Sequence, residues 1–453
     1  GLFLESYASS NSSFKYCQIK YAGTSSYGAL NIESTSCTFS NNTIQYAKKT
    51  GVLCENENAF FVEMNNNTIS DCGGHAVRIS ANRMHTIGTG NTFTCSDGYG
   101  INVWGGSDVT GTITWKNLTE PYYIEGEVDV DATLTIEAGT IFKFNADGSI
   151  YFGNYGTNTL IANGTSTNKI IFTSSAATPA AGAWNGIFFY QYNQQNSSMT
   201  FCEIAYAGKS NGEALELRNT KITFSNNTIH NSNESAIILD DESSFVEMNN
   251  NTISSCGKHA IIMNAKYFHT IGTGNSFTTA SDMGIFLNSG DVTSTGTWRK
   301  QTVPIIINSE VDVNNTLTIE AGSTFKFGGD GVIYIGNFGP SAAIIAKGTS
   351  TNPIVFTAWS GTPAAGAWEG LHFNSYTTGA STQLEYCEFL FSGKGSSSDR
   401  ASVYVDGVSG ITIKNSKFEN SDGWGIFLNS STLSPSSTGN TFTNCLLGDQ
   451  GNS

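Results

Sequence analysis

The sequence predicts an all-β solenoid, a single-stranded parallel β-helix of roughly 20 coils. Three observations predict it. The chain contains itself: residues 127–144 read EVDVDATLTIEAGTIFKF and residues 310–327 read EVDVNNTLTIEAGSTFKF, an offset of 183 (310 against 127). A shorter period of about 24 lies inside the long one. Asn42-Thr43-Ile44, Asn67-Thr68-Ile69 and Asn91-Thr92-Phe93 recur at steps of 25 and 24, and Asn227, Asn251 and Asn275 repeat the series. Downstream of each Asn comes a small residue and a strand of period two, as in Gly51-Val52-Leu53-Cys54, Ala76-Val77-Arg78-Ile79 and Gly100-Ile101-Asn102-Val103. Strands this short cannot bury a face alone, but stacked as coils they enclose a continuous interior.

The long repeat divides the chain into an N-terminally truncated copy at 1–126, a complete copy at 127–309 and a shortened copy at 310–453. Within a coil, Asn at the same place in successive turns builds a ladder of side-chain amide hydrogen bonds. That reading takes precedence over the formal Asn-x-Ser/Thr glycosylation acceptors, because the triplets keep the coil period and lead into an inward Ile or Phe. Period two then sorts the next strand. Val52, Cys54, Val77, Ile79, Ile101 and Val103 point inward, as do Leu215, Leu217, Ile237, Leu239, Ile261, Met263, Ile285 and Leu287. Cys37 and Cys54 stand where the second copy has Ile222 and Leu239, so the nine cysteines read as buried thiols rather than a disulfide framework.

Charged residues make up 13% of the chain and the net charge is −15, which argues against a nucleic-acid partner. No apolar run approaches the roughly 18 residues of a membrane-spanning helix. Gly1-Leu2-Phe3 aligns with Gly186-Ile187-Phe188 in mid-repeat, so the chain is expected to be part of a longer one.

The Leu-Thr-Ile-Glu-Ala-Gly stretches at 134–139 and 317–322, the segments 160–174 and 344–357, and the Asn-Asn-Thr-Ile units together resemble right-handed parallel β-helix proteins of pectate-lyase-like architecture. They are most similar to modules of large bacterial secreted and cell-surface β-helix proteins. The resemblance implies a right-handed coil and an extracellular or cell-surface location, and it leaves the activity open, because this architecture hosts unrelated functions.

Outward positions on the strand after the small residue mix aromatics, carboxylates and amides, a combination suited to sugar stacking and hydroxyl hydrogen bonding. The ligand-binding candidates are Trp104, Arg78, Glu55, Phe286, Tyr404 and Asp406. Polysaccharide or the glycans of a host or neighbouring cell surface are the expected partners. For catalysis the nearest carboxylate cluster is Asp240-Asp241-Glu242 with Glu216 and Arg218 a coil away, and Asp240, Glu216 and Arg218 are the candidates. His75 and His259 are equivalent, as are His85 and His269, so each pair reads as a turn residue used twice. No cofactor is expected. Asp147 and Asp330, in equivalent Asp-Gly turns, are the candidates for a Ca²⁺ ligand, though Asp-Gly is first a turn dipeptide. The leading reading is a non-catalytic extracellular rod, acting as stalk, adhesin or glycan-binding scaffold. The alternative is a carbohydrate-active enzyme, lyase or hydrolase, with its groove on the outward strand face.

Overall fold

The structure, a computed structural model, describes residues 1–96, 98–192, 196–240, 242–280, 282–339 and 341–453. It is the right-handed parallel β-helix expected, with about 18 turns against the roughly 20 read from the sequence, and 4% helix. The chain divides into two compact units, Gly1–Ile237 and Ile238–Ser453.

In both units the period-two reading gives the interior. Val52, Cys54, Val77, Ile79, Ile101 and Val103 are fully buried, as are their second-copy counterparts Ile261, Met263, Ile285 and Leu287. Parallel pairing places like residues one above another at the strand spacing of about 4.8 Å. Aromatic rings therefore stack along the core: Phe142 on Phe172 at 5.2 Å and Phe144 on Trp184 at 4.0 Å in unit 1. In unit 2, Phe356, Phe389, Phe418 and Phe442 follow each other at 5.0 Å.

The asparagine ladder is present. Asn42 N donates to Asn67 Oδ1 at 2.9 Å, Asn67 Nδ2 donates to Asn91 Oδ1 at 2.9 Å, and Asn251 Nδ2 donates to Asn275 Oδ1 at 2.9 Å. All nine cysteines are free thiols. His75 Nδ1 accepts from Gly100 N at 3.2 Å and His259 Nδ1 from Gly284 N at 3.4 Å, the same turn made twice.

The repeat does not return to the same side of the coil. In unit 1 one sheet runs through Leu2–Leu4, Leu30–Ile32, Val52–Cys54, Val77–Ile79 and Ile101–Val103. It continues through Tyr122–Ile124, Ile141–Phe144, Ile170–Ser174, Cys202–Ala205 and Thr228–His230. Its first five strands follow a small residue, whereas its last follows the Asn227 turn. The second-copy strands Gly186–Phe189 and Leu215–Arg218 answer Leu2–Leu4 and Leu30–Ile32 in sequence. They lie on the neighbouring sheet, with Glu127–Val130 and Ser149–Phe152. Counting the 3₁₀ helix Ala81–Thr86 that lies between them as a side, 22 sides separate Leu2–Leu4 from Gly186–Phe189, which is seven turns and one side more.

The slip originates at that helix. Two successive strands, Ser107–Val109 and Ile113–Trp115, both stack on it where one strand stood before. Ser107 Oγ accepts from Ala81 N at 3.0 Å, Trp115 Nε1 donates to Ala81 O at 3.2 Å, and Lys116 Nζ donates to the carbonyls of His85 and Ile87. Unit 2 repeats the device at Ala265–Thr270. There Ile285–Asn288 shares a sheet with Lys417–Glu419, while the third-copy strands Ala401–Asp406 and Trp424–Asn429 lie on the sheet of Glu310–Val313. Outward residues that align in sequence thus occupy different sheets.

Candidate functional site

Unit 1 carries a groove on the outer face of its ten-strand sheet. The register sets a column of outward side chains, Leu53, Arg78, Asn102, Tyr123 and Lys143, one per turn. Two residues further along each strand a second column brings Glu55, Trp104 and Glu125 beside it. Two open hollows result. One of about 280 Å³ is lined by His75, Tyr99, Asn102 and Lys49, and one of about 270 Å³ by Glu55, Trp104 and Gly105. Leu53, Arg78 and Glu125 line both.

Arg78 stands at the centre. Its Nη2 donates to Glu125 Oε2 at 2.7 Å, across two turns of the coil. Three polar side-chain atoms around it are shielded from solvent and have no hydrogen-bond partner: Arg78 Nε, Asn102 Oδ1 and Trp104 Nε1. Asn102 is 1% exposed. Each group left unpaired costs about 1–3 kcal/mol, which a ligand that draws it into a hydrogen bond recovers. Two are donors and one an acceptor, the pairing that hydroxyl-rich ligands satisfy.

The surrounding groups set the charge. Burial holds the His75 imidazole below its usual range, so it is neutral with Nδ1 as the acceptor and Nε2 carrying the proton. Tyr99 and Tyr123 pack on it at 5.1 Å and 5.4 Å. Burial raises the Glu55 carboxyl and the neighbouring Glu33 charge adds to the rise. Lys143 Nζ lies 3.3 Å from Tyr123 Oη and closes the column.

Of the residues selected from the sequence, the structure brings Trp104, Arg78 and Glu55 together here. It adds Glu125, Asn102, His75 and Tyr99, which the sequence had not joined to them. Phe286 lies in unit 2 under Trp359, ring centroids 5.9 Å apart, with His259 6.0 Å from the same indole. Tyr404 belongs to an outer aromatic series in unit 2, Tyr334, His372, Tyr404 and Phe427, tilted against His372 at 5.4 Å and stacked on Phe427 at 5.8 Å. Asp406 Oδ1 accepts from Asn429 Nδ2 at 2.7 Å.

Glu216 and Arg218 are paired in unit 1, Arg218 Nε donating to Glu216 Oε1, and the guanidinium lies 4.9 Å over the Tyr190 ring. Asp240 belongs to unit 2, and Asp241 lies outside the described residues. Asp147 accepts from Lys209 Nζ at 2.6 Å and Asp330 from Lys394 Nζ at 3.2 Å, so each meets an equivalent lysine. Among the described residues no three His, Cys, Asp or Glu side chains gather as a metal-binding group.

The chain belongs to the right handed beta helix region family, whose model matches residues 1–114 and 180–327. A model of the pectate-lyase like beta helix domain matches residues 107–208 and 290–403. Both of the latter matches begin at strands that start a new sheet, Ser107–Val109 and Gly290–Val292. No curated protein and no solved structure matches the chain.

Proposed function

We propose that this chain is a non-catalytic, glycan-binding β-helix module of an extracellular or cell-surface protein, with the groove around Arg78 as its binding site. One observation carries the reading: Arg78 Nε, Asn102 Oδ1 and Trp104 Nε1 lack partners and all belong to residues lining one pair of open hollows. Most buried polar groups in native proteins are paired, so three unpaired atoms on residues that line one groove support a ligand there that supplies the bonds. The internal copy adds a contrast. The positions of Arg78, Asn102 and Trp104 hold Ile262, Phe286 and Asn288 in the second copy, and Glu125 answers Asn308. The second copy does not repeat the set of Arg78, Asn102, Trp104 and Glu125.

Affinity electrophoresis tests this, with xylan, mixed-linkage β-glucan, polygalacturonate and alginate each cast into the gel. The wild type is retarded by at least one polysaccharide and Arg78→Met is not. A wild type retarded by none overturns the reading.

A hydrolase reading draws on one other observation. On the neighbouring sheet burial pushes the Asp129 carboxyl up to about 6, with the Glu127 carboxyl adding to the rise. A general acid needs such a shift. The same pair recurs as Glu310 and Asp312, where burial and Asp312 raise the Glu310 carboxyl, which favours an architectural role. Release of reducing ends from the same four polymers, abolished by Asp129→Asn, would favour the enzyme.

A further inference from the structure

The second copy shows what can occupy the place of the groove. In unit 2, Trp359 follows the strand Ile354–Ala358 and its indole lies against His259 and Phe286. Its Nε1 donates to Asp282 O at 2.6 Å, and Lys326 Nζ donates to Asp282 Oδ1 at 2.8 Å. His259 and Phe286 answer His75 and Asn102 of unit 1, and the order of strands between them and Trp359 is the same as that between His75, Asn102 and Ser175. Trp359 answers Ser175, whose Oγ turns away to donate to Asn145 Oδ1 at 2.7 Å. One copy therefore covers this place with an indole, whereas in the other Tyr99 and Tyr123 pack on His75 and an open hollow remains beside them and Asn102.

Resting on the glycan reading above, we infer that the groove of unit 1 seats one sugar ring over Asn102, against His75, in the place that the Trp359 indole takes in unit 2. The walls say why it is a sugar rather than an aromatic ring. Where unit 2 has Phe286 against the indole, with Ile262 and Ile306 at the flanking positions of the column, unit 1 has Asn102, with Arg78 and Tyr123 flanking it. A polyhydroxylated ring satisfies the Asn102 acceptor and the Arg78 donor, whereas an apolar ring leaves both unpaired and costs affinity.

The test plugs the seat with the solution the chain already uses. Ser175→Trp supplies the indole, and Asn102→Phe fills the seat from beneath without depending on the Ser175 loop. Each is run by affinity electrophoresis beside wild type and Arg78→Met, on the four polysaccharides named above, with circular dichroism and thermal melting as the check of folding. Both plugged variants should fold and bind the retarding polysaccharide about ten-fold or more weaker. If both fold and bind as wild type does while Arg78→Met has lost binding, the ring seat is overturned and the groove stands. If Arg78→Met also binds as wild type does, the glycan groove falls with it.

Discussion

Arg78 and Glu125 are 47 residues apart in sequence and 2.7 Å apart in space, joined across two turns of the coil. Both side chains are over a third exposed, at 40% and 36%, so the pair contributes little to folding, about 0–1 kcal/mol. Its consequence is for binding: it holds the guanidinium with Nε toward neither water nor protein. Arg78→Met should leave the melting temperature nearly unchanged and weaken glycan binding by about ten-fold to a hundred-fold, the worth of a charge-assisted hydrogen bond. Differential scanning fluorimetry beside affinity electrophoresis checks both halves.

The asparagine ladder makes a contrasting prediction about stability. Asn67 is 1% exposed, donates to Phe39 O at 2.7 Å and to Asn91 Oδ1 at 2.9 Å, and accepts from Asn42 N at 2.9 Å. Asn67→Ala strands a buried carbonyl and a buried amide, and should cost about 3 kcal/mol, read as a fall in the urea midpoint. An unchanged midpoint would mean that the ladder is incidental to folding.

Asp129 predicts a pH dependence with a definite sign. Its carboxyl is pushed from 3.8 up to about 6, chiefly by burial, with Glu127 and Asp131 adding and the Asn154 hydrogen bond opposing. The folded state then holds a proton that the unfolded chain has released, so the contribution to stability is full below about pH 4 and is lost as pH rises through about 6. Asp129→Asn, which keeps the shape and cannot ionise, should be more stable than wild type at pH 7 and equal to it near pH 4. Parallel melting curves from pH 4 to 7 measure the convergence.

The Cys202, Cys387 and Cys95 thiols should be silent in the folded protein. Cys202 and Cys387 are fully buried, burial raises both, and Cys95 is pushed up to about 12. Thiolate is the reactive form, so a disulfide-exchange reagent at pH 8 should label Cys202, Cys387 and Cys95 only as the chain unfolds. Rapid labelling of Cys202 or Cys387 in the native protein would contradict the packing of the core.

The coil, its inward residues and the ladder were legible because each leaves a period: two along a strand, about 24 along the coil. The phase slip was not. Sequence alignment pairs Leu2 with Ile187, and nothing in that pairing records that 22 sides rather than a multiple of three lie between them. For that reason Phe286 and Tyr404, which share an outward position in the repeat, sit on different sheets of unit 2. Trp104, Arg78 and Glu55 come together because they lie within three turns of one sheet before the first slip. Glu125 was missed because it sits outside the Asn-x-strand motif, and only the register of Asn102 with Tyr123 brings it beside Trp104. The legible signal was the difference between copies, Arg78 against Ile262 and Glu125 against Asn308, which no periodic role explains.

Titration calorimetry decides whether the Arg78 groove is a glycan site, using an oligosaccharide cut from whichever polysaccharide retards the wild type. One site per chain is expected, lost in Arg78→Met and weakened in Trp104→Phe, which removes the Nε1 donor while keeping an aromatic ring. Two equal sites per chain, or one site indifferent to both substitutions, would contradict it.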